Sequence, residues 1–278
     1  MKSRNASEKQ LSPQQFVCLH QPSSDEIFTS DDFGDFVFDR KVTSVFPDMI
    51  TRSVPNYWEV NDGTARLADR YARDGEQVLD LATSLGAAIW AIYLRLGQRC
   101  HLVAMDSSSA MISTLNDNLL RAHCASIKTK NADMLSAELG KSDVIVLNYG
   151  LQFVPVSQRL SLLRRVYDGL NPGGVLLLAE KLRDHNQSIS LLGPDDESRL
   201  LRHWHHDFKH AMGYSRSEIN HKAASIKMVM QTDSLNTQRA RLRAAGFVKA
   251  TVWAQMYNFS ALVVQRDDWT HADTAEWF

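Results

Sequence analysis

Cysteine is scarce in this sequence. Cys18, Cys100 and Cys124 are an odd number at wide spacing in 278 residues, with no CxxC pair and no Cys/His spacing of a zinc site. Free thiols and no structural metal are therefore expected. Long hydrophobic runs are also missing. The longest, such as Val175 to Glu180, fall far short of the roughly 20 residues of a membrane span, and the polar start MKSRNASEKQ has no apolar targeting segment. The expectation is a cytoplasmic protein with no membrane partner. Charge of one sign is not in excess either. Thirty-one Lys plus Arg against 32 Asp plus Glu leave a net charge of -1, so there is no positive field to gather a polyanion and no direct nucleic-acid binding is expected. A small-molecule substrate remains, with a homodimer left open. What the chain does have is apolar content, 44% of its residues, enough for one sizeable core or a core plus a small subdomain.

Residues 1–32 are rich in Ser, Gln, Asp and Lys without apolar periodicity, which predicts a flexible arm or lid. Residues 33–268 form the predicted domain. Within it an alternating pattern starts near Asp62: a helix at about 63–74, the strand QVLDLA, a helix from about Gly86, the strand HLVAMD and a helix at about 108–122. IKTKNAD, the strand SDVIVLNY, the helix SQRLSLLRRVYDGL and the strand VLLLAEKL follow. Asn171-Pro172-Gly173-Gly174 supplies the stop before that last strand. Strands alternating with helices predict parallel βαβ units, here an α/β Rossmann-like fold. Two closing strands, KATVWAQMY and FSALVVQR, bring the predicted sheet to seven, mostly parallel. Between about 183 and 232 the alternation gives way to a polar, His-rich helical stretch, read as a cap inserted after the fifth strand. Residues 269–278 are a polar tail.

The first candidate site is the turn Asp80-Leu81-Ala82-Thr83-Ser84-Leu85-Gly86. Small residues at a strand-to-helix turn let the backbone approach a ligand, and the helix start offers free N–H groups. Ala82 stands at the usual first glycine, so the turn alone reads first as an ordinary βα connection. Asp106, which ends HLVAMD 26 residues after Asp80, is near the ~20-residue offset at which an acid meets ribose hydroxyls in a Rossmann unit. Asp133 follows the next strand, where an acid can address an adenine amino group. Asn148 ends the fourth strand, at the carboxyl edge where such sheets place ligands. Singly, each reads as a helix cap or loop residue. Four at successive strand ends read as a nucleoside site.

VFPDMITRSVPNY at 45–57, SLGAA after Thr83, VLNYGLQFV, GLNPGG, HHDFK with GYSRSEI, and AGF with the closing strands together resemble the carboxy-SAM synthase family, from about Phe33 to Gln265. That family joins S-adenosylmethionine (SAM) with a carboxyl group taken from prephenate, for tRNA wobble-uridine modification, on a class I methyltransferase fold. The resemblance implies SAM contacts at Tyr57, Ala82, Thr83, Ser84, Asp106, Ser107, Asp133, Met134 and Asn148, beside Asp80 and Gly86 of the turn. Tyr57 and Asn148 are the candidate catalytic residues, Tyr57 because an aromatic face stabilises a sulfonium by about 0.5–2 kcal/mol.

Two departures mark a diverged member. The family's Gly-Cys-Ser is Ala82-Thr83-Ser84 here, which re-poses the amino-acid end of SAM. The family's carboxylate-clamping arginine is replaced by Ala223, after Lys222. A lysine supplies a point charge in place of a planar fork. These departures favour a reaction in which SAM is itself the substrate: its amine displaces methylthioadenosine from its own γ-carbon, giving azetidine-2-carboxylate. Carboxy-SAM synthesis is the alternative, followed by methyl transfer to a small molecule and by a non-catalytic SAM-binding role. His203, His205, His206 and His210 lack carboxylate or Cys partners at ligand spacing and read as structural or solvated. Arg52 reads either as a SAM carboxylate contact or as a surface ion pair.

Overall fold

Successive apolar residues of the central strands send side chains to opposite faces of one sheet, and helices cover both faces. The computed structural model describes residues 11–29, 36–183 and 194–267. Among them seven strands pair in the order β3-β2-β1-β4-β5-β7-β6: β1 Gln77–Leu81, β2 His101–Asp106, β3 Ile127–Asn131, β4 Ser142–Asn148, β5 Leu170–Lys181, β6 Lys249–Met256 and β7 Phe259–Gln265. The first five are mutually parallel, and β7 runs antiparallel to β5 and β6. The expected α/β, Rossmann-like, mostly parallel seven-stranded sheet is the one observed.

Along β4, Val144 and Val146 enter one core and Ile145 and Leu147 the other. This period of two on a sheet covered on both sides explains why the central strands read as continuous apolar runs. The first face is covered by α3 Tyr57–Tyr71, α4 Ala87–Leu96 and α5 Ser109–Arg121. The second is covered by α6 Val156–Gly169 and α9 Leu235–Ala245. The turn of order from β1 to β4 opens a crevice at the carboxyl edge, where such sheets bind ligands. Above that edge lie α2 Arg40–Ser53 and the cap helices α7 Pro194–Ala211 and α8 Arg216–Ile226. No described helix is long and apolar enough to cross a membrane.

Two expectations change. The helix expected from about 63 begins at Tyr57, and the preceding motif segment contains α2, whose Asp39 cap holds the Val42 N–H. The amino-terminal stretch is packed over 11–29, where its composition predicts an arm or lid. α1 Pro13–Val17 is fixed by a capping box between Ser12 and Gln15, and Phe16 stacks on Trp90 at 4.0 Å and 3°. Three buried apolar residues, Phe16, Val17 and Phe28, suffice to dock a segment whose average composition is polar. The other residues of the predicted arm, 1–10 and 30–32, and the tail 269–278 lie outside the described residues.

Candidate active site

A cavity of about 530 Å³ opens at the carboxyl edge of the sheet. Its size lies within the roughly 300–1,000 Å³ of small-molecule sites. Asp80, Ala82, Thr83, Ser84, Asp106, Ser107, Asp133, Met134, Asn148 and Tyr57 all line it. Ten of the eleven expected residues thus meet in one space, because each sits at or just after the end of β1, β2, β3 or β4, or at the start of α3.

Local hydrogen bonds hold the acids in place. The Thr83 hydroxyl donates to Asp80 at 2.6 Å, while the N–H groups of Ser84 and Ser108 each donate to one Asp106 carboxylate oxygen at 2.8 Å. Each of those oxygens keeps a lone pair for a further donor. Asp133 accepts the Leu135 N–H at 2.9 Å, and the Asn148 amide donates to the Thr64 hydroxyl at 3.2 Å. Tyr57 and Tyr149 approach to 5.9 Å between ring centroids, and Tyr149 meets Phe259 at 6.2 Å. These three rings form an aromatic wall of the cavity.

Burial raises the Asp80 carboxyl to about 7, opposed by its Thr83 hydrogen bond and reinforced by the nearby Asp106 charge. Asp106 is raised too, by burial. Two acids that are costly to ionise side by side fit a ligand that carries positive charge, and a carboxylate with spare lone pairs fits a diol. SAM carries both a sulfonium and a ribose, so these carboxylate acceptors suit it.

Gly86 is the exception. It does not line the cavity; its φ of +82 starts α4, and a Cβ there would lie 2.6 Å from a Leu115 methyl. Its smallness serves helix packing. Arg52 is also directed elsewhere. Its guanidinium lies 3.8 Å over the Tyr214 ring and donates to Met212 O, Asp25 O and Asp48. Among the four histidines, His205 is buried with Nε2 at 2.8 Å from Ser53 O, His210 Nδ1 meets Tyr214 O, and His206 lines the cavity. No group of three metal-ligating side chains occurs among the described residues.

Apart from Lys222, sequence reasoning missed the basic wall. Lys181, Arg202, Lys209, Lys222 and Lys227 line the same cavity as the acids. Lys181 ends β5 and continues the series of polar strand ends, so the last residues of VLLLAEKL carried a readable signal. The others come from α7, α8 and the residue after α8, and only the docking of the cap brings them in. Burial and the neighbouring cations lower Lys181 to about 7; burial lowers Lys209 to about 8. Ala223 lines the cavity as well.

Residues 52–226 match the family described as a methyltransferase domain. The chain is similar to the carboxy-S-adenosyl-L-methionine synthase of Aeromonas salmonicida (strain A449), 40% identical over 250 residues that cover 87% of this chain and 96% of that one. It is 37% identical over 270 residues to the protein of the same name from Yersinia pestis (strain Pestoides F), covering 95% and 97%. Among solved structures, the SAM-dependent methyltransferase SibL in its apo form superposes with a TM-score of 0.55 at 17% identity, over 80% of this chain and 58% of that one. Human N-acetylserotonin methyltransferase in complex with SAM gives 0.51 at 17%, over 91% and 63%. The chain thus spans less than two thirds of these structures, and the likeness is one of fold. With the strand-end acids, the methyltransferase sheet and identity along nearly the whole length all in agreement, the chain is a SAM-dependent enzyme that belongs to the carboxy-S-adenosyl-L-methionine synthase family.

Proposed function

We propose that this enzyme uses SAM together with a small anionic second substrate, as a carboxy-SAM synthase. The observation that carries this reading is the basic wall of Lys181, Arg202, Lys209, Lys222 and Lys227 in the same cavity as the acidic strand ends. One set of residues suits the cationic nucleoside and the other an organic acid. Turning a sulfonium methyl into a carboxymethyl forms a carbon–carbon bond to a carboxyl carbon; the donor's bond to that carboxyl breaks, its electron pair expels the ring hydroxyl of prephenate as hydroxide, and the hydroxide takes the methyl proton, which leaves phenylpyruvate and water. Lysines hold the donor's carboxylate for that step, and the wall of Tyr57, Tyr149 and Phe259 keeps water away from the transferred carbon. Asp106 takes the ribose hydroxyls, Asp133 and Met134 flank the adenine, and Ala82 to Ser84 face the amino-acid end.

Cyclisation of SAM to azetidine-2-carboxylate is the second reading. Ala223, which lines the cavity where the family has arginine, favours it. It ranks below carboxyl transfer because it adds no acid, and so makes no use of the basic wall.

The leaving group separates the readings. Mass spectrometry of SAM incubated with enzyme, with and without prephenate, is expected to show a prephenate-dependent product heavier than SAM by one CO₂. Methylthioadenosine with azetidine-2-carboxylate in equal amounts, formed without prephenate, would establish cyclisation instead. S-adenosylhomocysteine would establish methyl transfer.

A further inference from the structure

The basic side chains of the cavity are not equivalent. Lys222 is committed to a buried latch: its ammonium donates to the Ser53 hydroxyl at 2.6 Å and the Tyr214 hydroxyl at 3.2 Å, and lies 3.5 Å from Asp25. The Tyr214 hydroxyl donates to the same Asp25 carboxylate. Asp25 therefore answers the Lys222 charge from the amino-terminal segment, and little of it is left for a ligand. Arg202 and Lys227 are exposed at the rim.

Lys181 and Lys209 differ. Lys209 is 6% exposed, and the Lys181 ammonium sits 5.9 Å over the Phe259 ring. Among the described residues neither ammonium meets an acceptor. Burial and the neighbouring charges of Lys209, Arg202 and Lys222 weigh against a proton on Lys181, and burial does the same at Lys209. Lys209 is buried and Lys181 half-buried, and two ammonium groups so placed with no counter-charge among the described residues are costly. An entering anion removes that cost.

We infer that Lys181 and Lys209 together hold the carboxylate of the second substrate, in place of the arginine that this chain lacks at position 223. They reach the cavity from different elements, Lys181 from the end of β5 and Lys209 from α7, so each can donate to one carboxylate oxygen. Two point charges then do the work of one guanidinium fork. The side chain missing at Ala223 leaves room for the acid to settle deeper, toward them. The ligand class is a small organic acid whose carboxylate leaves water on binding. This assignment rests on the anionic second substrate proposed above.

The test is calorimetric titration of prephenate into enzyme saturated with S-adenosylhomocysteine, which lacks the reacting methyl. Lys181→Met and Lys209→Met are each expected to weaken prephenate binding roughly 10- to 100-fold while changing S-adenosylhomocysteine affinity less than about twofold. Both remove a buried or half-buried charge that lacks a counter-charge, so melting temperatures at or above the wild-type value will confirm that the variants fold. Folded variants that bind prephenate as tightly as wild type would overturn the assignment and leave the anionic-substrate reading intact. Wild-type enzyme that binds S-adenosylhomocysteine but no prephenate would overturn both.

Discussion

Ala82 holds a backbone φ of +53, in the left-handed region that costs a side-chain-bearing residue about 1–2 kcal/mol. A glycine relieves that strain and adds about 0.5–1 kcal/mol of unfolded-state freedom, so Ala82→Gly is expected to stabilise by about 1 kcal/mol or less in urea denaturation. The methyl has a neighbour, too: a Cβ on Gly150 would lie 2.7 Å from Ala82 Cβ. Gly150→Ala should therefore cost less in the Ala82→Gly background than alone, and a double-mutant cycle reads the difference. Asp106 combines two roles. Asp106→Ala leaves ribose hydroxyls unpaired and is expected to weaken SAM binding by about 1–3 kcal/mol, roughly 5- to 150-fold by calorimetry. It also orphans the Ser84 and Ser108 N–H groups, so its melting temperature should fall even without ligand. An unchanged dissociation constant in a folded variant would remove Asp106 from the site.

The cap is joined to the body at two polar junctions as well as by packing. One is the latch of Asp25, Lys222, Tyr214 and Ser53; the other is buried Arg159, which donates to Gln152 O, Val154 O, Gln231 O and Asp233 where the chain leaves the cap. Asp25→Ala strands a buried ammonium and should destabilise by about 3–5 kcal/mol. Chemical denaturation checks this, and a loss under 1 kcal/mol would mean that the latch is decorative. On SAM binding, α7 and α8 are expected to gain hydrogen-exchange protection relative to the β-strands; equal protection with and without SAM would count against a closing cap. Asp80, Asp106, Asp133 and Asn148 were legible in the sequence because a parallel sheet places successive strand ends along one edge, so a spacing along the chain becomes a line in space. Lys181 belongs to that line and was readable on the same rule. Lys222 was legible only through its place beside Ala223, and Lys209 and Asp25 were not legible, because helix docking brings them together and no sequence period encodes docking. Gly86, expected at the ligand, packs against Leu115 outside the cavity lining, and the sequence could not separate the two because one glycine in a βα turn serves ligand approach and helix packing alike.

Taken whole, the protein carries acids and bases whose burial works against its stability at neutral pH. Asp80, raised to about 7 in the folded state, contributes stability that is present below its unfolded value and is lost as pH rises toward 7. Lys181 and Lys222, lowered to about 7, and Lys209, lowered to about 8, act in the opposite sense. The folded state binds fewer protons than the unfolded chain above these values, so stability rises with pH from about 7 toward 10. Thermal melts of ligand-free enzyme should therefore pass through a minimum near neutrality, shallower in Lys181→Met. A melting temperature that falls steadily from pH 7 to pH 9.5 would contradict the buried charge states. Anion binding should weaken over the same range as Lys181, facing Lys209, Arg202, Lys222, His205 and His206, loses its proton. The latch has one more consequence, in time. Asp25 and Tyr214 are 189 residues apart, so at about 5–20 residues per second the ribosome delivers the second partner roughly 10–40 s after the first. Throughout that interval β1 to β5 can pair while the roof over their crevice has no anchor, and β6 and β7, which follow Tyr214 in the chain, complete the sheet and bring Phe259 to the chamber only afterwards.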